Sequence, residues 1–279
     1  MLALASTAET LAAVASARSV SFSAYLLHPG ALFDALDAAA RRGAKVVARV
    51  EESPYRAGSL ARLNARMLER LRRDGADARA EPGVHAKTLI ADGVAYYDDA
   101  NWLERGGDTI LRDPDARDPA VATTKGAALD LELRAIEAAR AGDAIDLETE
   151  SFGNGPVSGA LERAAGRGAR VRVLVSRREL RRNAREAEAI AGLERAGAEV
   201  RSTGATEKFA VVGERAWVGS ANATYGAFDQ SDWGAVVDDA PVREHCASAF
   251  ASRWGTARRE KAPAKREPSF VPVDARVRA

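Results

Sequence analysis

Two segments of the sequence carry residue types that could handle a phosphate group. The first begins His85-Ala-Lys87 and continues through Asp92 to Asp98-Asp99-Ala100-Asn101. The second begins Thr206-Glu-Lys208 and continues to Gly219-Ser220-Ala221-Asn222. The spacing from lysine to asparagine is the same in both. The segments are therefore two copies of one pattern, and each copy lacks residues that the other keeps.

The lysines and asparagines of the two copies could form a phosphate-binding cradle. On a strand, side chains two residues apart point to the same face, so His85 projects with Lys87 and Thr206 projects with Lys208. A phosphodiester needs positive donors for its nonbridging oxygens, a nucleophile in line with the leaving oxygen, and an acid to protonate that oxygen. One lysine and one asparagine amide from each copy would supply the donors without a metal ion.

The two segments resemble the signature of the phospholipase D superfamily, His-x-Lys-x4-Asp followed by Gly-Gly/Ser-x-Asn. The resemblance covers roughly residues 5–255. It implies an α/β fold made of two similar phospholipase D-like halves, each a mixed sheet flanked by helices, packed with pseudo-twofold symmetry. The matching residues are His85, Lys87, Asp92 and Asn101 in the first copy, and Lys208 with Gly219-Ser220-Ala221-Asn222 in the second.

The resemblance also implies a mechanism and a set of site residues. In this family one histidine attacks phosphorus and forms a phosphohistidine, while the histidine of the other half protonates the leaving group and then activates water. His85 is the expected nucleophile, and Asp108 is expected to orient its ring. The other expected site residues are Lys87 and Lys208 as catalytic groups, and Asn101, Thr206, Ser220, Asn222 and Asp232 as substrate-binding groups.

The departures from the family pattern leave two interpretations open. Thr206 cannot perform the acid–base work of an imidazole at neutral pH, because its hydroxyl does not titrate there. Asp98 and Asp99 replace Gly-Ser, so they would add negative charge beside the phosphate or pair with a lysine and neutralise it. One interpretation is a metal-independent phosphodiesterase or phosphatidyl-transfer hydrolase with a one-histidine site and no cofactor. The other is a catalytically inactive relative that binds a phosphorylated ligand or a partner protein.

Two further residues near the motif allow a functional and a structural interpretation. His28 follows the first predicted strand and could supply the missing acid, but a histidine in a loop more often has no such role. Asp92 lies an odd number of residues from Lys87, so it points to the opposite side of the strand. We therefore expect Asp92 to fix a turn with Gly93 rather than to contact substrate.

The duplication extends well beyond the motif. Arg42–Val50 matches Arg167–Val175, and strands alternate with helices in the same order in both halves, which favours an α/β sheet. The predicted helices cover residues 6–17, 32–41 and 60–73, then 130–141, 159–165 and 184–195. The predicted organisation is a first half over 1–111, a linker rich in proline and charge over 112–127, a second half over 128–255 and a disordered tail over 256–279.

Composition sets bounds on partners and location. The 279 residues carry 41 basic and 40 acidic side chains, a balance that gives no general reason to expect nucleic-acid or membrane binding. Cys246 is the only cysteine, which excludes an intramolecular disulfide and a cysteine-based metal site. No apolar run is long enough to span a bilayer. The first 17 residues end in Ala-Ser-Ala but lack a basic segment, so they are interpreted as a helix rather than a signal peptide.

These observations lead to expectations about location, assembly and substrate. The protein is expected in the cytoplasm unless an N-terminal signal has been removed. Both half-sites lie in one chain, so we expect a monomer, or a dimer that does not form through the active site. The expected partner is a phosphodiester, either a phospholipid, a nucleic acid or a small diester, and the sequence does not choose among them.

Overall fold

The computed structural model describes residues 1–55, 57–102, 108–116, 118–180, 184–204 and 206–259. Its elements in chain order are β1 (Ala3–Ala5), α1 (Thr7–Ser16), β2 (Ser19–Ala24), α2 (Ala31–Arg41), β3 (Lys45–Glu51), α3 (Ala57–Arg73), β4 (Asp77–Glu81), β5 (Thr88–Ala91), β6 (Val94–Asp98), β7 (Ile110–Asp113), β8 (Ala122–Thr124), α4 (Lys125–Glu137), β9 (Ala144–Thr149), α5 (Pro156–Gly166), β10 (Arg170–Ser176), α6 (Arg177–Leu180), α7 (Ala184–Arg195), β11 (Glu199–Thr203), β12 (Phe209–Val212), β13 (Arg215–Gly219), β14 (Ser231–Val237), α8 (Ala240–Thr256) and β15 (Arg258–Arg259).

The two halves form two sheets with the same strand order. The first sheet runs β1-β7-β6-β5-β2-β3-β4, and the second runs β8-β14-β13-β12-β9-β10-β11, with β15 added beside β11. In each sheet three parallel strands adjoin an antiparallel set that carries the motif. Parallel neighbours require a crossover connection, which explains why helices alternate with strands in this part of each half. The predicted α/β fold of two similar halves is confirmed.

Local sequence explains where several helices begin and end. Ser6 caps α1 by accepting a hydrogen bond from the backbone of Glu9 at 3.1 Å, and Thr124 caps α4 at the equivalent place in the repeat. Gly43 and Gly168 follow α2 and α5 with φ angles of 86° and 92°, a left-handed conformation that favours glycine. Within the described residues, no helix combines the length and the apolar character needed to cross a bilayer.

The connection between the two sheets differs from the predicted linker over 112–127. Strand β7 continues to Asp113, and β8 already pairs with β14 from Ala122 onwards. Helix α4 then begins at Lys125. The charged, proline-containing sequence hides the three-residue strand β8, which occupies the same edge position in the second sheet as β1 does in the first.

The predicted disordered tail over 256–279 falls mostly outside the described residues, which end at 259. Its first residues are ordered. Helix α8 continues to Thr256, and β15 pairs with β11 in antiparallel register. Arg258 lies opposite Ser202 in this short pairing.

A shared apolar core joins the two halves. Buried side chains from both sheets, among them Leu111 and Phe209, pack together in one cluster that includes Trp233. The Trp233 indole Nε1 donates to the Asp98 carbonyl across the interface at 2.9 Å, and its ring lies 5.3 Å from that of Tyr97. This packing holds the motif strands of the two halves beside each other.

Asp92 lies at the turn after β5, away from the His85 and Lys87 side chains. Its carboxylate accepts hydrogen bonds from the backbone N–H groups of Arg18 and Ser19, the latter at 2.8 Å, and these bonds hold its pKa below the ordinary value. Its φ angle is 45°, a left-handed value that aspartate tolerates. Asp92 thus ties the start of β2 to the β5–β6 turn, which is a structural role.

The shared core makes Trp233 a test of whether the halves fold as one unit. We expect Trp233→Ala to lower the free energy of unfolding by about 3–5 kcal/mol, because it removes a large ring buried between two sheets. We expect Trp233→Phe to cost only about 1–3 kcal/mol, since it keeps an aromatic ring but leaves the Asp98 carbonyl without its donor. Urea denaturation followed by circular dichroism should give one transition in all three proteins. Two separate transitions in the wild type would contradict the shared core.

Candidate active site

The motif strands of the two halves meet at one cleft with a volume of about 480 Å³. Strand β14 of the second half runs beside the first motif: the backbone N–H of His85 donates to the Ser231 carbonyl at 3.0 Å, and that of Ser231 donates to the Gly83 carbonyl at 2.9 Å. The cleft is lined by residues of both halves, among them Tyr25, Tyr55, His85, Asn101, Lys125, Glu150, Ser151, Arg178, Glu179, Asn222, Thr224 and Gln230.

His85 is held by a carboxylate of the other half. Its Nδ1 lies 2.7 Å from Asp232 Oδ1, and its side chain is 13% exposed. Lys87 Nζ also lies 3.2 Å from Nδ1, but it donates to the His85 carbonyl at 2.7 Å. A protonated Nδ1 can donate to Asp232 and cannot accept from Lys87, and the shorter contact with the carboxylate favours this tautomer. Nε2 then keeps its lone pair.

The expectation that Asp108 orients His85 is wrong. Strand pairing places Asp98 opposite Ile110 in the first sheet and Gly219 opposite Gly234 in the second, which makes Asp108 the counterpart of Asp232. The acidic residue acts across the interface between the halves, not within its own half. The backbone of Asp108 hydrogen-bonds His245 instead. By the same symmetry, Asp108 is the residue of the first half that would pair with a histidine at position 206.

Ser220 supports Asp232 and does not face the cleft, in contrast to the expectation that it holds substrate. It is fully buried, its Oγ donates to Asp232 Oδ1 at 2.5 Å, and it accepts from the Trp233 backbone at 2.9 Å. Gln230 Nε2 donates to Asp232 Oδ2 at 3.1 Å. Burial would raise the pKa of Asp232, but the contact with His85, together with Lys87 and Ser220, holds that pKa below its ordinary value. Asp232 is therefore an ionised, oriented acceptor.

The two motif lysines lie together beneath the cleft. Both are fully buried, and each ammonium donates to the carbonyl two residues earlier, Lys87 to His85 at 2.7 Å and Lys208 to Thr206 at 2.6 Å. Lys208 Nζ also lies 3.3 Å from Glu150 Oε2. Burial and the charge of Lys208 lower the pKa of Lys87 to about 7. Two buried ammonium groups at such a place favour binding of an anion.

The same charges keep His85 neutral. Burial and the Lys87 ammonium lower its pKa to about 4, although Asp232 opposes the shift. A neutral imidazole with its Nδ1 proton held by a carboxylate is the form that can act as a nucleophile.

The two asparagines of the motif lie in the cleft but differ in their contacts. Asn222 Oδ1 accepts from the Ser151 backbone at 3.1 Å, which fixes its amide. Asn101 Oδ1 is buried and finds no hydrogen-bond partner among the described residues. Both amides could offer donors to a phosphate oxygen.

Thr206 stands at the position of the missing histidine. Its carbonyl accepts from Lys208, and its backbone N–H donates to Glu207 Oε2 at 2.7 Å. The prediction that its hydroxyl faces His85 Nε2 across the cleft stays a prediction.

Asp98 and Asp99 are buried behind the cleft. Asp98 Oδ2 accepts from the Trp102 backbone at 2.5 Å, and Asp99 Oδ1 accepts from the Thr109 backbone at 2.9 Å. Burial raises the pKa of Asp98 to about 6, and burial with the neighbouring Asp98 carboxylate raises that of Asp99 well above its ordinary range. Burial thus favours the neutral form of both carboxyl groups, but with a pKa of about 6 Asp98 is still mostly ionised at pH 7. Asp98 still contributes an electrostatic interaction with Lys87.

Glycine is required at the equivalent position of the second copy. A Cβ atom on Gly219 would lie 2.7 Å from both the Trp217 ring and the Trp233 carbonyl. The first copy carries Tyr96 and Thr109 in place of those tryptophans, and there an aspartate is accommodated. The difference between the two copies thus reflects packing as well as chemistry.

Sequence reasoning missed several residues that line the cleft. Glu150 and Tyr25 directly follow the equivalent strands β9 and β2, at the sheet end where sites of α/β proteins form. Lys125, at the start of α4, donates to Thr224 Oγ1 at 2.9 Å. A comparison of the two repeats beyond the motif could have pointed to Glu150 and Tyr25. His28, a candidate for the missing acid, lines a neighbouring cavity of about 260 Å³ and not this cleft.

Comparison with known proteins supports a common fold. Residues 133–254 match the family model described as "Cardiolipin synthase, PLD-like domain", where PLD denotes phospholipase D. Phosphatidylserine synthase from Haemophilus influenzae Rd KW20 is similar in structure, with a TM-score of 0.62 and 10% identity over 90% of this chain and 86% of that chain. Polyphosphate kinase from Porphyromonas gingivalis gives a TM-score of 0.60 and 19% identity over 91% of this chain, which spans only 47% of that kinase. A search of curated protein sequences gave no significant match.

The site geometry predicts an unusual titration of His85. The unfolded chain protonates this residue below a pH of about 6.5, whereas the folded protein does so only below a pH of about 4. Between these two values His85 therefore makes the protein less stable as the pH falls. In nuclear magnetic resonance spectra, the His85 ring should stay neutral as the pH falls from about 7 to about 5.

Two variants should move this pKa in opposite directions. Lys87→Met removes a positive neighbour and should raise the pKa of His85, while Asp232→Asn removes the negative acceptor and should lower it. A wild-type His85 that titrates near its ordinary value of about 6.5 would contradict this description of the site.

Proposed function

We propose that the chain, whose residues 133–254 match a phospholipase D-like domain model, is a member of the phospholipase D superfamily and acts as a metal-independent phosphodiesterase or phosphatidyl-transfer hydrolase. The catalytic intermediate is a phosphohistidine on His85. The observation that carries the proposal is the 2.7 Å hydrogen bond from His85 Nδ1 to Asp232. Because this bond holds the proton on Nδ1, Nε2 is unprotonated toward the cleft. The two motif lysines lie beneath that cleft.

The residues of the cleft divide the work of the first step. His85 Nε2 attacks phosphorus in line with the leaving oxygen, and Asp232 stabilises the ring as positive charge develops on it. Lys87 and Lys208 counter the negative charge on the nonbridging oxygens. The amides of Asn101 and Asn222 add one donor each. These groups replace the charge that a metal ion would supply, so the reaction should not require one.

The two similar structures are a phosphatidylserine synthase and a polyphosphate kinase. At 10% and 19% identity they support the fold, and the substrate proposed here extends only to a phosphodiester. Both half-sites lie in one chain, so the proposed active unit is the monomer.

The alternative is an inactive relative that binds a phosphorylated ligand or a partner. Thr206 favours it, because the second imidazole is missing. The cleft nevertheless contains other ionisable groups beside that position, Glu150 above all. Nucleophilic attack requires a neutral histidine with a fixed tautomer and an unprotonated Nε2, whereas binding alone does not. This favours the enzyme.

Hydrolysis of bis(p-nitrophenyl) phosphate tests the proposal. We expect release of p-nitrophenolate that EDTA does not reduce and that His85→Ala abolishes. His28→Ala, which changes a histidine outside the cleft, should keep the wild-type rate. No hydrolysis by either protein would favour the inactive relative, and equal hydrolysis by His85→Ala and the wild type would contradict the role of His85 as nucleophile.

A matched pair of variants tests which aspartate orients His85. Asp232→Asn should lower kcat by about 10²–10⁴-fold, because it removes the acceptor that fixes the tautomer. Asp108→Asn, at the equivalent position of the first half, should have little effect. The reverse order of effects would show that the acidic residue acts within its own half.

Rebuilding the second histidine tests the role of position 206. We expect Thr206→His to raise the rate, since it restores an imidazole opposite His85, where general acid–base catalysis contributes about 10²–10⁴-fold. Combining it with Asp98→Gly and Asp99→Ser restores the family pattern almost completely. If this triple variant neither binds nor hydrolyses phosphodiesters better than the wild type, the cleft has diverged beyond these positions.

A further inference from the structure

Building on the phosphodiesterase function proposed above, we propose that Glu150 performs the proton transfers for which the second half lacks a histidine. Its carboxyl group donates a proton to the leaving oxygen and then accepts a proton from the attacking water. Four observations support this role: its place in the repeat, its contact with the second motif, the rigidity of its loop and the charge balance of the cleft.

The repeat places Glu150 beside position 206. Strand pairing aligns Ser23 with Thr88 in the first sheet and Glu148 with Phe209 in the second. Because Thr88 and Phe209 both follow a motif lysine, Tyr25 and Glu150 occupy equivalent positions. The Tyr25 ring packs edge-on against His85, with 5.0 Å between ring centroids. Glu150 should therefore stand next to position 206 as Tyr25 stands next to His85.

The contacts of Glu150 agree with this placement. Its Oε2 lies 3.3 Å from Lys208 Nζ, and the same ammonium donates to the Thr206 carbonyl at 2.6 Å. The Glu150 side chain is 28% exposed and lines the cleft together with His85 and Asn222. The carboxylate thus faces the space where a substrate would bind. Lys208 contacts both this carboxylate and the threonine that replaces the histidine.

The loop that carries Glu150 is held on both sides of the next two residues. The Ser151 backbone N–H donates to Asn222 Oδ1 at 3.1 Å, and that of Phe152 donates to the buried Glu186 Oε1 at 3.2 Å. The first half holds its equivalent loop in the same way, with Leu27 donating to Asn64 Oδ1 at 3.0 Å. These bonds hold the backbone next to Glu150, which limits the positions that its carboxylate can take.

The charge balance of the cleft couples protonation of Glu150 to substrate binding. Burial would raise the pKa of Glu150, but Lys208 and Lys87, with His85 when it is protonated, hold it below the ordinary value in the empty site. Glu179 and Glu186 also interact electrostatically with Glu150. A bound phosphodiester brings one negative charge and competes for Lys208, so the pKa of Glu150 rises and the carboxyl group takes up a proton.

The proposed steps balance in atoms and electrons. In the first, the Nε2 lone pair of His85 forms the N–P bond while the P–O bond to the leaving group breaks. The leaving oxygen keeps that electron pair and takes the Glu150 proton. In the second, water forms a new O–P bond, the P–Nε2 bond breaks with its pair returning to nitrogen, and the water proton moves to Glu150. The products are an alcohol and a phosphomonoester.

Pre-steady-state hydrolysis of bis(p-nitrophenyl) phosphate by Glu150→Gln tests the inference. p-Nitrophenolate leaves without a proton, so the variant should release a burst of one equivalent per site. Without a base for water, it should then turn over about 10²–10⁴-fold more slowly than the wild type. Phosphohistidine should accumulate and be detectable by phosphorus magnetic resonance after alkaline quenching. The burst itself shows that the variant is folded.

Glu137→Gln is the control, because Glu137 pairs with Arg163 at 2.8 Å on the surface and is not among the residues that line the cleft. It should turn over within about twofold of the wild type, a loss far below that of a missing base. Steady-state turnover of Glu150→Gln at or above the wild-type rate would overturn the inference, because Glu150 would then serve only as the ion-pair partner of Lys208. Absence of a burst, or an equal loss in Glu137→Gln, would overturn it as well. A wild type that neither hydrolyses the diester nor becomes labelled on His85 would remove the proposed function, and the inference with it.

Discussion

Two buried ammonium groups, Lys87 and Lys208, set the constraint on which this site depends. Each comes from a different half, and both side chains are fully buried beneath one cleft. Burial of unpaired charge is unfavourable by several kcal/mol, so other groups must offset it. Backbone carbonyls accept from both ammonium groups, and the carboxylates of Asp232 and Glu150 supply the opposing charge. Such a site favours binding of an anion, which would either replace one of these carboxylates or bind beside it.

The same constraint explains the division of roles between the halves. The positive surroundings keep His85 neutral, and Asp232 reaches it from the other half to fix its tautomer. The two copies share one topology, yet they fill equivalent positions with different chemistry. Tyrosine accompanies histidine on one side, and glutamate accompanies threonine on the other.

The sequence predicted the fold well and the contacts of the site less well. Periodicity and glycine positions located most helices and strands, since these signals are local. The linker was predicted too long because β8 has only three residues and no apolar pattern of its own. Asp108 was chosen over Asp232 because a linear reading favours the residue nearest in sequence to His85. Partners across an interface depend on how the two sheets pack, and neither this packing nor the buried positions of Ser220 and Asp99 can be read from spacing.

A crystal structure with vanadate bound tests the central claim most directly, namely that both halves build one phosphoryl-transfer site around His85. Vanadate adopts a geometry like that of a phosphoryl group under attack. We predict vanadium bonded to His85 Nε2, with equatorial oxygens contacted by Lys87, Lys208 and the two motif asparagines. Vanadate bound outside the cleft, or in the cleft without contact to the second-half lysine, would contradict the account.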